Sequence, residues 1–249
     1  VSERPTPGGR AALVTGGSRG IGLAVARTLG EEGYRLTIAA RRPKRLQAAV
    51  ADLRAGGATV EGVAADVGEE ADAVALIERH RELYGRLDVL VNNAGSGVVQ
   101  PIESTRARLL DKLVAVNLRG VVLCAREALP LLREAGAEHG KALIVNVASL
   151  GGVAGQAEIA VYAATKAAAI VFTRSTRREV GAAGIQCTAL APGLVDTPMA
   201  DYARERMPGE RMIRPEDIGE AVRFLLRTSP NCHVPEIVFT APGGYRVAA

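Results

Sequence analysis

The stretch Ala11-Ala-Leu-Val-Thr15-Gly16-Gly17-Ser18-Arg19-Gly20-Ile21-Gly22 decides how the rest of the chain is read. Residues 11 to 15 are a short apolar run suited to a buried strand, and a helical pattern follows through Leu29. A glycine-rich turn between strand and helix brings backbone N–H groups and an electropositive helix end to one point, which suits a pyrophosphate. Glycine permits positive φ and close approach of a ligand. The spacing is Thr-Gly-x-x-x-Gly-x-Gly, not Gly-x-Gly-x-x-Gly. Alone such a turn is weak evidence; its place between strand and helix gives it weight. Gly16, Ser18, Arg19, Gly20, Ile21 and Gly22 are therefore candidate dinucleotide contacts.

Strand and helix patterns alternate from there to the end of the chain. Strands are expected at Tyr34 to Ala40, Thr59 to Ala65, Leu87 to Val91, Ala142 to Ala148, Ile185 to Leu190 and Pro235 to Thr240. Helices are expected from Glu69 to Tyr84, over residues 103 to 138 in two pieces joined near Asn117, up to Val180, and from Pro215 to Arg227. This alternation predicts a doubly wound parallel α/β sheet in one domain spanning residues 1–249. A polar tail covers residues 1–9, and residues 195–213, with Met199, Met207 and Met212, suit a mobile lid over substrate.

Where the second strand ends, a dinucleotide with a free ribose 2′-hydroxyl expects an acid. Here the chain reads Ala39-Ala40-Arg41-Arg42-Pro43. Cations ahead of a helix N-terminus are unfavourable unless an anion joins them. A 2′-phosphate is such an anion, and Arg19 can reach it too, so NADP(H) is the expected cofactor. Asp66, beside Val67 at the end of the third strand, can accept from an adenine amino group or cap the next helix. Asn92-Asn93-Ala94-Gly95 ends the fourth strand with small polar residues that let a cofactor approach, and Pro192-Gly193 breaks the chain after the sixth.

Chemistry concentrates between Ser149 and Lys166. Tyr162 and Lys166, four apart, share one face of a helix, and Ser149 sits at the preceding strand end. A phenol with a pKa of about 10 is a poor base at neutral pH, and a nearby ammonium is expected to lower it. Ser149 can donate to the same substrate oxygen. Asn117 is poorly placed inside a helix unless it fixes a kink or holds a water leading to Lys166.

Bulk properties narrow the alternatives. The net charge is +4, but there is no Trp and only three Phe, so stacking platforms for nucleic acid are scarce. No apolar run is long enough to cross a bilayer, and residues 1–10 carry no signal-peptide core, so no membrane or nucleic-acid partner is expected and a cytoplasmic location is. Cys124, Cys187 and Cys232 are far apart, form no metal-like cluster and suit a reducing compartment.

Taken together, Thr15-Gly16-x-x-x-Gly20-x-Gly22, Asn92-Asn93-Ala94-Gly95, Asn117, Ser149, Tyr162-x-x-x-Lys166 and Pro192-Gly193 resemble the short-chain dehydrogenase/reductases over about residues 10 to 245. The resemblance implies a Rossmann fold with seven parallel strands. It implies Tyr162 as general acid/base, Lys166 as the group that lowers its pKa and holds the nicotinamide ribose, and Ser149 as the residue that polarises a carbonyl. Asn117 would hold the relay water, and Val195 and Thr197 would meet the nicotinamide. Arg19 and Arg41 mark the NADP-preferring type. A homotetramer or dimer is common in this family. The chain departs from the family's usual ending, reading Pro235-Glu-Ile-Val-Phe-Thr-Ala-Pro-Gly243-Gly244.

The expected activity is hydride transfer between the dinucleotide and a small carbonyl or alcohol. A 3-oxoacyl reductase, with Arg177, Arg178, Arg204, Arg206, Arg211 and Arg214 meeting an acidic acyl carrier, is a narrower version; a solvated basic face explains those arginines as well. A dinucleotide-sensing regulator without turnover shares the fold, but it has no need of an intact Asn117, Ser149, Tyr162 and Lys166 set.

Overall fold

Strand β1 (Ala11–Thr15) is buried along its whole length and lies in the interior of the sheet. A computed structural model describes residues 9–203 and 211–242. Successive β1 side chains alternate between two apolar layers: Ala12 and Val14 face one, Leu13 the other. Both layers are covered by helices, which is why the strands read as unbroken apolar runs.

Helices α1 (Gly20–Glu31) and α2 (Pro43–Ala55) alternate with β2 (Arg35–Ala40) and β3 (Val60–Ala64), building the sheet outward on one side of β1. After α3 (Glu70–Tyr84) the chain crosses back, and β4 (Val89–Asn92) pairs with the other edge of β1. Helices α4 (Ala107–Val114) and α5 (Gly120–His139) precede β5 (Ala142–Val147). Then come α6 (Leu150–Ala154), α7 (Ala160–Val180), β6 (Ile185–Pro192), α8 (Pro215–Arg227) and β7 (Glu236–Phe239). The order is β3-β2-β1-β4-β5-β6-β7, and every pairing is parallel. The direction of winding reverses between β1 and β4, so a crevice opens above their C-terminal ends.

The expected seven strands are all present, with ends shifted by a residue or two. Between residues 107 and 139 the two expected helical pieces are one rod. A π-helical turn, Ala115–Arg119, joins α4 to α5, and Gly120 N–H reaches back to the Ala115 carbonyl. Asn117 lies inside that turn, which matches the tendency of π-turns to sit at functional sites. The helix carrying Tyr162 does not run on from Ser149; a loop separates α6 from α7.

The segment expected to form a lid is described in part. Val195 pairs with Ile213, and a 3-10 turn covers Pro198–Ala203. Residues 204–210, with Arg204, Arg206 and Met207, lie outside the described residues, as do residues 1–8 of the polar tail and the Gly243-Gly244 ending. Among the described residues no helix is long and apolar enough to cross a membrane.

Candidate active site

The crevice begins at the glycine-rich turn. Gly16 and Gly20 have φ of +66° and +53°, a region costly for any residue with a Cβ. The Asn93 amide secures the turn from the neighbouring strand end, donating to Thr15 O at 3.0 Å and Gly16 O at 3.2 Å. The Asn93 and Ala94 N–H groups both donate to Thr15 Oγ1 at 3.0 Å. Asn93 therefore acts first on the protein's own backbone. Gly22 packs beneath the turn, where a Cβ would come within 2.3 Å of Gly16 O.

From this turn a single cleft runs between the strand ends. Gly16, Ser18, Arg19, Gly20, Ile21, Arg41, Arg42, Asp66, Val67, Asn93, Ala94, Gly95 and Thr197 all line it, as expected. Sequence reasoning misses Ala39, Ala40, Arg45, Ala65, Val116, Pro198 and Met199. Arg45 stands in the first turn of α2, so the argument that singles out Arg41 and Arg42, carried one turn further, finds it. Of the expected cofactor contacts, Gly22, Tyr162, Lys166, Pro192, Gly193 and Val195 do not line this cleft. Gly193 instead donates its N–H to Phe239 O at 2.9 Å, tying β6 to β7.

Four guanidinium groups crowd the outer end. Burial, then the charges of Arg45 and Arg42, depress the pKa of Arg19; Asp201 opposes them and Arg41 adds to them. Arg41 approaches Asp66 at 3.5 Å, and both are substantially exposed. The other Asp66 oxygen accepts from Gly68 N–H at 3.1 Å, so Asp66 closes a turn ahead of α3 and does not cap it. Such a cluster of cations is suited to an anion with several oxygens. The open glycine turn suits the pyrophosphate of a dinucleotide.

Beside the cleft, next to Gly95, lies a less exposed group. The Ser149 hydroxyl caps α6, accepting from Gly151 N–H at 3.2 Å. The same side chain lies near enough to the Tyr162 hydroxyl to lower its pKa. Lys166, only 4% exposed, donates from Nζ to Val147 O at 2.8 Å and lies 5.9 Å from the centroid of the Tyr162 ring. Asn117 is fully buried: Oδ1 accepts from Ser96 N–H at 2.8 Å, while Nδ2 donates to Ser96 O at 2.8 Å and Thr165 Oγ1 at 3.0 Å. Thr165 passes the link on to the Tyr162 carbonyl at 2.7 Å. A Cβ on Gly95 would sit 3.4 Å from Lys166 Nζ and 3.5 Å from Asn117 Oδ1, so Gly95 brings its backbone close to both.

The expected electrostatics of Tyr162 are corrected here. Burial raises the phenol's pKa, and the nearby Ser149 side chain opposes that only in part. The ammonium does not reverse it, because desolvation acts on Lys166 as well, lowering its pKa to about 8. The same dry surroundings disfavour the charged form of both side chains.

Comparison with known proteins agrees with this geometry. The family model described as short chain dehydrogenase matches residues 10–208. The levodione reductase of Leifsonia aquatica is 35% identical over 225 residues, covering 89% of this chain and 80% of that protein. A crystal structure of a single-substitution variant of actinorhodin polyketide ketoreductase with NADPH superposes with a TM-score of 0.87 at 32% identity, covering 96% of this chain and 98% of that one. The 3-ketoacyl-(acyl-carrier-protein) reductase of Brucella melitensis, complexed with NADH, gives a TM-score of 0.85 at 31% identity over 94% of this chain and 98% of that one. This chain belongs to the short chain dehydrogenase family of nicotinamide-dependent oxidoreductases.

Proposed function

We propose that this oxidoreductase reduces a carbonyl to a secondary alcohol with NADPH, reversibly, and that Tyr162 is its general acid/base. The observation that carries this reading is a cleft rimmed at one end by Arg19, Arg41, Arg42 and Arg45 and adjoined at Gly95 by the Ser149–Tyr162–Lys166 cluster. The bound dinucleotide supplies or accepts the hydride. Tyr162 gives its hydroxyl proton to the substrate oxygen, and the raised pKa keeps that proton on the phenol at neutral pH, as an acid requires. Ser149 donates to the same oxygen and polarises it. Lys166, charged below pH of about 8, stabilises the phenolate left behind and can donate to the cofactor ribose. Asn117, through Ser96 and Thr165, fixes the loop and helix that frame Tyr162 and can hold a relay water beside Lys166.

The rim supports NADPH over NADH, since β2 ends without a carboxylate and the nearest one, Asp66, faces Arg41. A panel of ketones and alcohols with both dinucleotides tests the proposal. Steady NADPH oxidation, weaker with NADH, is the expected result; silence across the panel would return the fold to a sensing role.

A 3-oxoacyl thioester is the finer substrate candidate, with exposed Arg177 and Arg178 available to an acidic carrier. Turnover of a carrier-bound substrate should then fall steeply with salt while that of a small ketone does not. Exposed Leu110, Val114 and Val171 on adjoining α4 and α7 support a homo-oligomer, dimer or tetramer, measurable by light scattering. The unpaired buried thiols of Cys124 and Cys187 suit the cytoplasm.

A further inference from the structure

We infer that Gly97 and Met199 set the size limit for an apolar substituent on the carbonyl substrate, which makes them specificity-determining residues; this rests on the reductase reading above. The glycines near the site fall into three kinds. Gly16 and Gly20 need positive φ. Gly22 and Gly152 have no room for a Cβ, which would meet backbone at 2.3 Å and 2.7 Å. Gly97 has neither constraint. Its φ lies outside the left-handed region, and a Cβ there would meet Tyr162 Cε2 at 3.5 Å, Tyr162 Cδ2 at 3.6 Å and Met199 Sδ at 3.8 Å, all ordinary contacts.

Nothing in the fold therefore demands a glycine at position 97, and what its missing side chain leaves is space. That space is bounded on one side by the edge of the Tyr162 ring and on the other by the Met199 thioether. Met199 also lines the dinucleotide cleft, so the gap joins the cofactor to the proposed acid. Gly97 itself faces solvent, and so do Val99 at 40% and Met199 at 46%, well exposed for large apolar side chains. A ring edge and a thioether form an apolar, adaptable wall. A carbonyl whose oxygen meets Tyr162 must send one substituent past Gly97, and an alkyl or aryl group fits that wall.

The test uses the full chain with NADPH and a series of methyl ketones from butanone to decanone, with acetophenone. Gly97→Ala and Gly97→Val place one and three carbons in the gap without backbone strain. Gly97→Val is expected to lower kcat/KM for decanone and acetophenone by about tenfold or more while butanone changes less than about threefold, with Gly97→Ala intermediate. NADPH affinity and Tm should stay near those of the wild type. In the double variant Gly97→Val/Met199→Ala, the shortened wall should restore part of the lost turnover on the bulky ketones. A uniform loss across the series, no dependence on ketone size, or no recovery in the double variant would overturn the inference. A wild-type protein silent on every ketone would instead overturn the reductase reading itself, before any variant is compared.

Discussion

The two ends of the crevice treat positive charge in opposite ways. At the outer end Arg41 keeps half of its side chain in water, with Asp66 3.5 Å away. Beside the inner end Lys166 is 4% exposed, and among the described residues its hydrogen-bonding partner is the uncharged Val147 carbonyl. Solvated charge is held cheaply and acts weakly, whereas buried charge is expensive and acts strongly on whatever shares its surroundings. The rim is thus suited to telling one dinucleotide from another, and the inner cluster to moving a proton.

If that contrast is right, the largest effect comes from the inner end. Tyr162→Phe removes the transferable proton and leaves the ring. Turnover should fall by about 10²–10⁴-fold, while NADPH binding, read by fluorescence, changes by no more than a few fold. Comparable losses in turnover and binding would mean that Tyr162 mainly holds the cofactor.

Next in size is Asn117→Ala, because Asn117 satisfies buried groups on two segments at once. The substitution leaves Ser96 N–H, Ser96 O and Thr165 Oγ1 each short of a partner. A loss of about 2–4 kcal/mol in unfolding free energy is expected from denaturant titration. An unchanged midpoint would show that water replaces the amide without cost.

Lys166→Met should move activity and stability in opposite directions. The Lys166 pKa falls from 10.5 in the unfolded chain to about 8 in the folded one. Below that lower value the side chain is charged in both states, and the full cost of burying it is present. Between the two values the unfolded chain holds a proton that the folded chain has released, so this group makes wild-type stability rise with pH. Methionine removes the effect but also the hydrogen bond to Val147 O. At neutral pH the variant should be more stable by ~1–2 kcal/mol yet inactive, and its advantage should shrink as pH climbs through that window. Lys141, also held at about 8 by burial, is present in both proteins and cancels in the difference. A variant less stable at neutral pH would contradict the buried-charge account.

The same contrast explains what can be read from the chain alone. The strand positions and the strand-end placement of the site follow from local patterns, since apolar runs, glycine turns and helix periods are written over a few residues each. Arg19, Arg41 and Arg42 are legible because charge beside a helix N-terminus is a local conflict. Arg45 follows from the same argument carried one turn further, but Met199 at the crevice does not, because only the folded chain brings the start of the lid there. The pKa direction of Tyr162 comes out wrong from the sequence for a related reason. The i, i+4 spacing states proximity to Lys166, but burial depends on every element packed around the pair. Asn117 stands out as an oddity within a helix, yet a π-turn differs from an α-turn by one hydrogen-bond step, which no residue pattern announces.

The smallest effects belong to the rim. Arg41→Ala should weaken NADPH binding by about tenfold at low salt and leave NADH binding within about twofold, as expected for one exposed charge-assisted contact. Raising the salt to about 0.5 M should shrink the difference, because screening shortens the reach of exposed charges. Arg45→Ala should behave alike. The double variant should lose less than the product of the two single losses, since Arg19, Arg41, Arg42 and Arg45 repel one another and each deletion relieves those that remain. A double variant that loses more than the product would mean that two guanidinium groups clamp the phosphate jointly. The rim would then be a built site like the inner cluster, and the contrast between the two ends would fail.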